Sequence, residues 1–386
     1  MVSVDNGIDD IDLERRHMSQ ATASRTNDSD DLITTLGVGA RNLWALTLGD
    51  GIGRSAGTDH TVLFDEKHRV LRRYGNTGGA PVLLVPPIAA PASCYDLSDE
   101  FSLVKHLRDV GRTPYVVDFG EIGYGDRGMG FEDFVFDIIP QAISRVLDDS
   151  DCDQVDLVAW SLGGTLSLLT AAAAAQRGET SIRSITAIAT PLDYDALPGY
   201  REARALMRPN GGKAPLLPLR LLGGIPAPVV QVAYRATSWQ RELRKPLFIL
   251  QNLRNTRTLE RMEVINRFQR TFPGYPGRLV EQMWEEFIYR NRLRTGELTI
   301  GEAELNFADI DVPVQLFGSH RDALCSWPAA NHGVGLLTGS PRVEFETIES
   351  SHLGLLAGPD AVASTWPVID EFLGSIDESV GSRGSA

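Results

Sequence analysis

Val155-Asp156-Leu157-Val158-Ala159-Trp160-Ser161-Leu162-Gly163-Gly164 is an apolar run that passes directly into a small-x-Ser-x-Gly-Gly turn. The segment from Leu162 to Ala175, rich in Ala and Leu and free of proline, follows it. A short apolar run bounded by a turn reads as a strand buried on both faces, and the segment after it as a helix. A serine at the apex of such a strand–turn–helix has a specific use. The tight turn strains the backbone and lifts the hydroxyl above the sheet. The small residues Ala159 and Gly163, two positions to either side of Ser161, keep side chains off the crowded backbone. The N–H of Leu162, first in the helix, points to where charge develops when the serine attacks a carbonyl. The competing reading is a serine that merely caps a helix; partners further along the chain favour the nucleophile.

On either side of this turn, strand and helix signals alternate. Pro81 to Val85 and Tyr115 to Val117 read as strands, and Asp99 to Val110 and Phe131 to Leu147 as helices. Ile185 to Ala189, Val312 to Phe317 and Val343 to Ile348 are further strands, and Asp360 to Leu373 a closing helix. This alternation predicts a mostly parallel sheet with helices on both faces. With the serine turn it predicts an α/β-hydrolase fold. The rhythm breaks between Thr190 and Phe307, a mostly helical stretch with many Pro and Gly residues, expected to be an inserted cap. The expected organisation is a partly disordered N-terminal arm over 1–60, a core over 61–190 and 308–375, a cap over 191–307 and a flexible Gly/Ser tail over 376–386.

In that fold the other catalytic residues follow in the order acid, then histidine, each after a strand. Asp322 follows Val312–Phe317, and His352 follows Val343–Ile348. Ser161 would then attack, His352 would take its proton, and Asp322 would fix the imidazole tautomer and stabilise its cation. His320 and His332 compete for the base, but neither follows the last strand. A second oxyanion donor is expected in Pro86-Pro87-Ile88-Ala89-Ala90-Pro91. Prolines cannot donate, so Ile88 or Ala89 must, and the sequence does not choose between them.

Three other features invite functional readings and are set aside. Gly53-Arg54-Ser55-Ala56-Gly57 matches the literal G-x-S-x-G, yet precedes the core and leads into no helix. Gly123-Tyr124-Gly125-Asp126-Arg127-Gly128 matches G-x-G-x-x-G, but no helix opens at its last glycine, so a loop at the site's mouth is expected instead of a dinucleotide site. Cys94 and Cys325 fall near the site and are read as small hydrophobes.

The chain has 386 residues, with 37 Lys plus Arg against 51 Asp plus Glu, a formal charge of −14. Such an acidic surface argues against nucleic acid as a partner. Three cysteines without a CxxC pair exclude a disulfide scaffold and a cysteine zinc site and point to a reducing compartment. The first residues lack the apolar run of a secretory signal, and no stretch of about 20 apolar residues is free of charge, so a cytoplasmic protein without a membrane span is expected. Neither a metal nor a bound organic cofactor is expected. The stretch Pro215 to Pro226 reads as an apolar surface suited to acyl chains, a polyester granule or a lipid surface, or simply to packing on the core. The arginines between Arg241 and Arg261 read as a solvated helix face or as partners for phosphates.

From Val62 to Leu373 the chain resembles the polyhydroxyalkanoate synthases, especially the short catalytic subunits of the two-subunit type. The resemblance rests on Asp65 to Tyr74, on Leu84-Val85-Pro86-Pro87 followed by Tyr95-Asp96-Leu97, and on Trp160-Ser161-Leu162-Gly163-Gly164-Thr165. Ala189-Thr190-Pro191-Leu192-Asp193-Tyr194 and Ser351-His352-Leu353-Gly354 complete it. It implies a hydroxyacyl-CoA substrate with CoA as leaving group, a cap over a buried site, a homodimer or second synthase subunit, and granule association. The family's nucleophile, acid and base fall on Ser161, Asp322 and His352. True synthases carry cysteine at the first of these positions. A cysteine exchanges one thioester for another, whereas a serine drops the acyl group at once to an oxyester and depends more on its base. The expectation is therefore hydrolysis or transesterification of hydroxyacyl esters or thioesters through an acyl-Ser161 intermediate, with polymer synthesis second. A non-catalytic, granule-associated or partner-binding protein of the same fold is the alternative from another class.

Overall fold

The structure, a computed structural model, describes residues 41, 42, 44, 57–207, 216–236 and 239–383. Most of the expected N-terminal arm and the serine of Gly53-Arg54-Ser55-Ala56-Gly57 lie outside the described residues.

One eight-stranded sheet organises the chain. Its strands are Thr61–Phe64 (β1), Val70–Arg73 (β2), Pro81–Val85 (β3), Thr113–Asp118 (β4), Val155–Trp160 (β5) and Ile182–Ile188 (β6). Two short ladders intervene, Gly224–Ile225 (β7) with Tyr275–Pro276 (β8), and Glu297–Ile300 (β9) with Ala303–Asn306 (β10). Val314–Gly318 (β11) and Val343–Thr347 (β12) then complete the large sheet, in the order β1-β2-β4-β3-β5-β6-β11-β12. From β4 to β12 every pairing is parallel. Every residue of β3 and β5 is buried, as their unbroken apolar runs demand of strands covered on both faces. The fold is the α/β-hydrolase type expected from the sequence.

Register aligns the C-terminal ends of the central strands. Val85 lies beside Ala159, Trp160 beside Ile188, Phe317 beside Ile188 and Gly318 beside Thr347. The loops opening at Pro86, Ser161, Ala189, Ser319 and Ile348 therefore emerge along one edge. In an open parallel sheet that edge is where ligands bind.

Two parts of the core differ from the sequence expectation. No strand was expected before Pro81, yet β1 and β2 extend the sheet antiparallel, with Leu71 opposite Val117. Strands of four residues give no usable periodicity, and β2 ends on two arginines. The fold accommodates both, Arg72 pairing with Asp118 at 2.6 Å and Arg73 with Asp149 at 2.8 Å. The closing helix also outruns the expected end at Leu373. A wide turn over Ala361–Thr365 leads into Trp366–Arg383, so the stretch expected to be a loose tail is helical up to Arg383. Gly374 and Ser375 lower helix propensity, but tertiary contacts override it. Ile376 is buried, and Asp377 accepts from Arg183 at 2.7 Å and Arg112 at 2.9 Å.

Those two arginines belong to a network below the sheet's functional edge. The Asp156 side chain is fully buried within β5 and accepts from Ser184 Oγ at 2.6 Å, from Arg183 Nε at 3.0 Å and from the rest of the Arg183 guanidinium. Arg112 stands 3.7 Å away. Removing the carboxylate leaves two largely buried cations balanced by the half-exposed Asp377 in place of a fully buried partner. Asp156→Ala should therefore cost about 3–5 kcal/mol of stability, read as a lower denaturant midpoint with unchanged slope.

The inserted region contains the helices Tyr200–Met207, Leu216–Leu222, Ala227–Ala236 and Gly277–Gln282, the β7–β8 ladder and the β9–β10 hairpin. Leu217, Leu221, Leu222, Val229 and Val232 are exposed on it. The hairpin lies against the core, Gln176 Nε2 donating to the Glu304 carbonyl at 3.0 Å. By contacts the chain divides into two compact units, one formed by Met1–Arg54 with Trp239–Asn266 and the other by the remainder. In the smaller unit, Asn42 Nδ2 donates to the Leu253 carbonyl at 2.9 Å and to Thr256 Oγ1 at 3.0 Å. The basic stretch from Arg241 to Arg261 belongs to that unit.

Candidate active site

Ser161 joins β5 to the helix Leu162–Gln176 at φ 54° and ψ −124°, a conformation L residues rarely adopt. Its hydroxyl makes no bond to the helix. A capping serine would have an extended backbone and a bonded side chain, so Ser161 is not an ordinary cap. Its own backbone bonds hold the turn. The N–H donates to the Ile188 carbonyl at 2.8 Å, and the carbonyl accepts from Gly164 N–H at 2.9 Å and Thr190 Oγ1 at 3.1 Å. The glycines after it are required by close approach. A Cβ on Gly163 would lie 2.3 Å from the Val85 carbonyl, and one on Gly164 would lie 1.9 Å from Thr190 Oγ1.

Asp322 and His352 arrive from the loops after β11 and β12 and meet, with His352 Nδ1 2.7 Å from Asp322 Oδ2. Both side chains are buried. The other carboxylate oxygen, Oδ1, accepts from the backbone N–H groups of Leu324 at 2.8 Å and Cys325 at 2.9 Å. Both acceptor oxygens are thus committed, which fixes the carboxylate and makes Nδ1 of His352 the protonated nitrogen. Nε2 is left as the acceptor.

Two residues the sequence reading did not identify hold this pair in place. Ser319 is fully buried and laces the two loops together: its Oγ donates to the Ser350 carbonyl at 2.7 Å and accepts from the N–H groups of Ser350 and Arg321, each at 3.0 Å. Trp160 packs its ring against His352, with centroids 5.1 Å apart, and its Nε1 donates to the His352 carbonyl at 3.2 Å. Trp160 adjoins the serine, and a buried indole N–H needs an acceptor. That was its only sequence signal.

A cavity of about 190 Å³ opens on Ser161, Leu162 and His352. Ala89 lines it, whereas Ile88 is buried in the core at 1% exposure. Of the two residues the sequence left open, Ala89 is the one that faces the cavity.

The set-aside features have other partners. The Gly123–Gly128 loop is a short turn in which Asp126 accepts from Gly123 N–H at 2.9 Å and lies 3.0 Å from His68 Nε2. No helix opens at its last glycine. His320 pairs with Glu349 at 2.6 Å and stacks on Trp327, and His332 bonds the Arg294 carbonyl at 2.8 Å. Cys94 and Cys325 are buried, and burial pushes both thiols well above the ordinary range, Asp322 adding to the effect at Cys325. A thiol so disfavoured as thiolate is a poor nucleophile. Iodoacetamide at neutral pH should therefore alkylate half-exposed Cys152 before either of them, as peptide mass mapping will show. Among the described residues no group of three or more His, Cys, Asp or Glu could hold a metal ion, and no helix is long and apolar enough to cross a membrane.

The family model described as "Alpha/beta hydrolase family" matches residues 82–365. Curated relatives bear the name poly(3-hydroxyalkanoate) polymerase subunit PhaC. The chain is 25% identical to that of Cupriavidus necator over 80% of its own length, yet spans about half of that protein, 53%. It is 22% identical to the Allochromatium vinosum protein, covering 90% of this chain and 96% of the relative. With the Haloferax mediterranei protein it shares 22% identity over 96% of this chain and 72% of the relative.

Proposed function

The chain belongs to the alpha/beta hydrolase family, and from this we propose that it is a serine acyl-transfer enzyme acting on hydroxyacyl esters or thioesters through an acyl-Ser161 intermediate. The observation that carries the reading is the fixed Asp322–His352 pair, whose histidine lines one cavity with a strained, uncapped Ser161. His352 Nε2 accepts the Ser161 proton as Oγ attacks the acyl carbonyl. The oxyanion forms against the N–H groups of Leu162 and Ala89. Collapse expels the thiolate or alkoxide, which leaves with the proton held on His352. The same base then activates water or an acceptor hydroxyl, the acyl group departs and Ser161 regains its proton.

The polymerase names of the relatives support hydroxyacyl groups as the substrate class, and CoA as leaving group is what the sequence resemblance implies. The serine supports a different fate for the acyl group. An acyl-serine is an oxyester, so passing it to another hydroxyl is nearly isoenergetic, and water competes unless the site excludes it. Hydrolysis or transesterification is the favoured outcome. Polymer growth is the second reading, supported by the relatives' names and by the segments of the inserted region that wall the cavity.

The test is to incubate purified protein with 3-hydroxybutyryl-CoA and to measure free CoA and acyl products by mass spectrometry. Free hydroxy acid equal to CoA supports hydrolysis, and oligomers support the polymerase reading. The proposal falls if no CoA is released and no hydroxyacyl ester is cleaved.

A further inference from the structure

The cavity that opens on Ser161 and His352 also contains three tyrosines whose chemistry the acyl-transfer mechanism does not use. Tyr194, Tyr200 and Tyr275 all line it together with Ser161 and His352. They come from separate places: the turn after β6, the start of the helix Tyr200–Met207, and β8. Tyr194 is 5% exposed, and its ring meets Tyr200 edge-on with centroids 5.4 Å apart. Among the described residues none of these hydroxyls has a hydrogen-bond partner in the protein. A wall built only to hold an alkyl chain has no use for three phenol oxygens that the protein leaves free to bond whatever enters the cavity.

We propose that Tyr194, Tyr200 and Tyr275 form a polar subsite that binds an oxygen substituent on the acyl chain, so that the site selects oxygenated acyl groups over plain fatty acyl groups. This rests on the acyl-Ser161 reading above. Burial pushes the pKa of all three phenols up, and the neighbouring phenols add to the effect at Tyr194 and Tyr275. The phenols are therefore neutral, and each can both donate and accept. That suits a hydroxyl, ether or ester oxygen and gives no charge to hold a phosphate. The wall is also fixed in position. Tyr194 N–H donates to Asn291 Oδ1 at 3.0 Å, Asn291 Nδ2 to Asp193 Oδ1 at 2.8 Å, and Arg294 to Asp193 Oδ2 at 3.1 Å. Tyr275 is held by the pairing of β8 with β7. The subsite is thus preorganised, as discrimination by a hydrogen bond requires.

The test compares p-nitrophenyl butyrate with p-nitrophenyl 3-hydroxybutyrate, neither of which carries the pantetheine oxygens of CoA. The wild type should favour the hydroxylated ester in kcat/KM by about tenfold, the worth of one good hydrogen bond. Tyr194→Phe should bring that ratio towards unity. Tyr200→Phe, nearer the rim, gives an independent variant if the first does not fold. Titration of Ser161 with a fluorophosphonate counts active sites in each preparation. The subsite is overturned if the wild type shows no preference, or if the ratio survives both replacements while Ser161 still labels. A protein that cleaves neither ester and never labels at Ser161 overturns the acyl-enzyme reading and the subsite with it.

Discussion

Ser161→Ala is expected to lower kcat on every ester and thioester the protein turns over by about 10⁴- to 10⁶-fold, and to abolish fluorophosphonate labelling. The loss is large because, among the described residues lining the cavity, no other side chain is an activated nucleophile. Cys325 lines it, but burial and Asp322 disfavour its thiolate. The stability of a companion variant makes the case sharper. Ser161 is held at φ 54° and ψ −124°, where a Cβ costs about 1–3 kcal/mol and glycine costs little. Ser161→Gly should therefore be more stable than Ser161→Ala, by about 1 kcal/mol or more, while being equally inactive. Parallel denaturant curves and single-turnover assays decide it. The comparison with the wild type separates this from a cap, since replacing a bonded capping serine by glycine or alanine leaves both variants less stable than the parent, whereas relief of the strained turn should make Ser161→Gly at least as stable as the wild type. Ser161→Ala with undiminished turnover would remove the nucleophile from the mechanism altogether.

The turn around Ser161 could be recognised from sequence because its constraints are local. β3 and β5 are continuous apolar runs with no alternative use, and two glycines follow the serine because backbone and Thr190 press against them. Asp322 and His352 could be paired from sequence because each stands just after a strand, in the order the fold requires. What could not be read depends on proximity between distant segments. Ile88 and Ala89 are both apolar and adjacent, and only the cavity separates them. Ser319 looks like any loop serine until β11 and β12 bring its loop to Ser350. The tyrosine wall takes Tyr194 and Tyr200 from the start of the inserted region and Tyr275 from β8 far along it, so no spacing announces it. β1 and β2 are strands because β4 offers an edge, and the closing helix continues past Gly374 because Asp377 meets two arginines. In each case tertiary contact overrides weak local preference.

Asp322→Asn should reduce kcat at neutral pH by about 10⁴-fold, and more than removal of the side chain does. The two oxygens of the carboxylate make the difference. Oδ1 accepts from two backbone donors, Leu324 N–H and Cys325 N–H, and Oδ2 faces His352 Nδ1 at 2.7 Å. An asparagine in this place has one oxygen and one NH₂ group. Turning the NH₂ towards Leu324 and Cys325 would oppose donors to donors twice over. The amide oxygen therefore stays with those N–H groups, and the NH₂ faces the imidazole. Nδ1 must then become the acceptor, which puts the ring proton on Nε2. In that tautomer His352 has no lone pair for the Ser161 proton and cannot start acylation. Asp322→Ala imposes no such choice, because the ring can still carry its proton on Nδ1, so it should retain more activity than the asparagine variant. Neither replacement alters the strained turn at Ser161 or the contact of Trp160 with the ring. Acylation rates measured by stopped flow with a p-nitrophenyl ester separate the two variants. If Asp322→Asn acylates as fast as Asp322→Ala, the carboxylate does not control the tautomer; if it keeps a tenth of the wild-type rate, His352 is not the base.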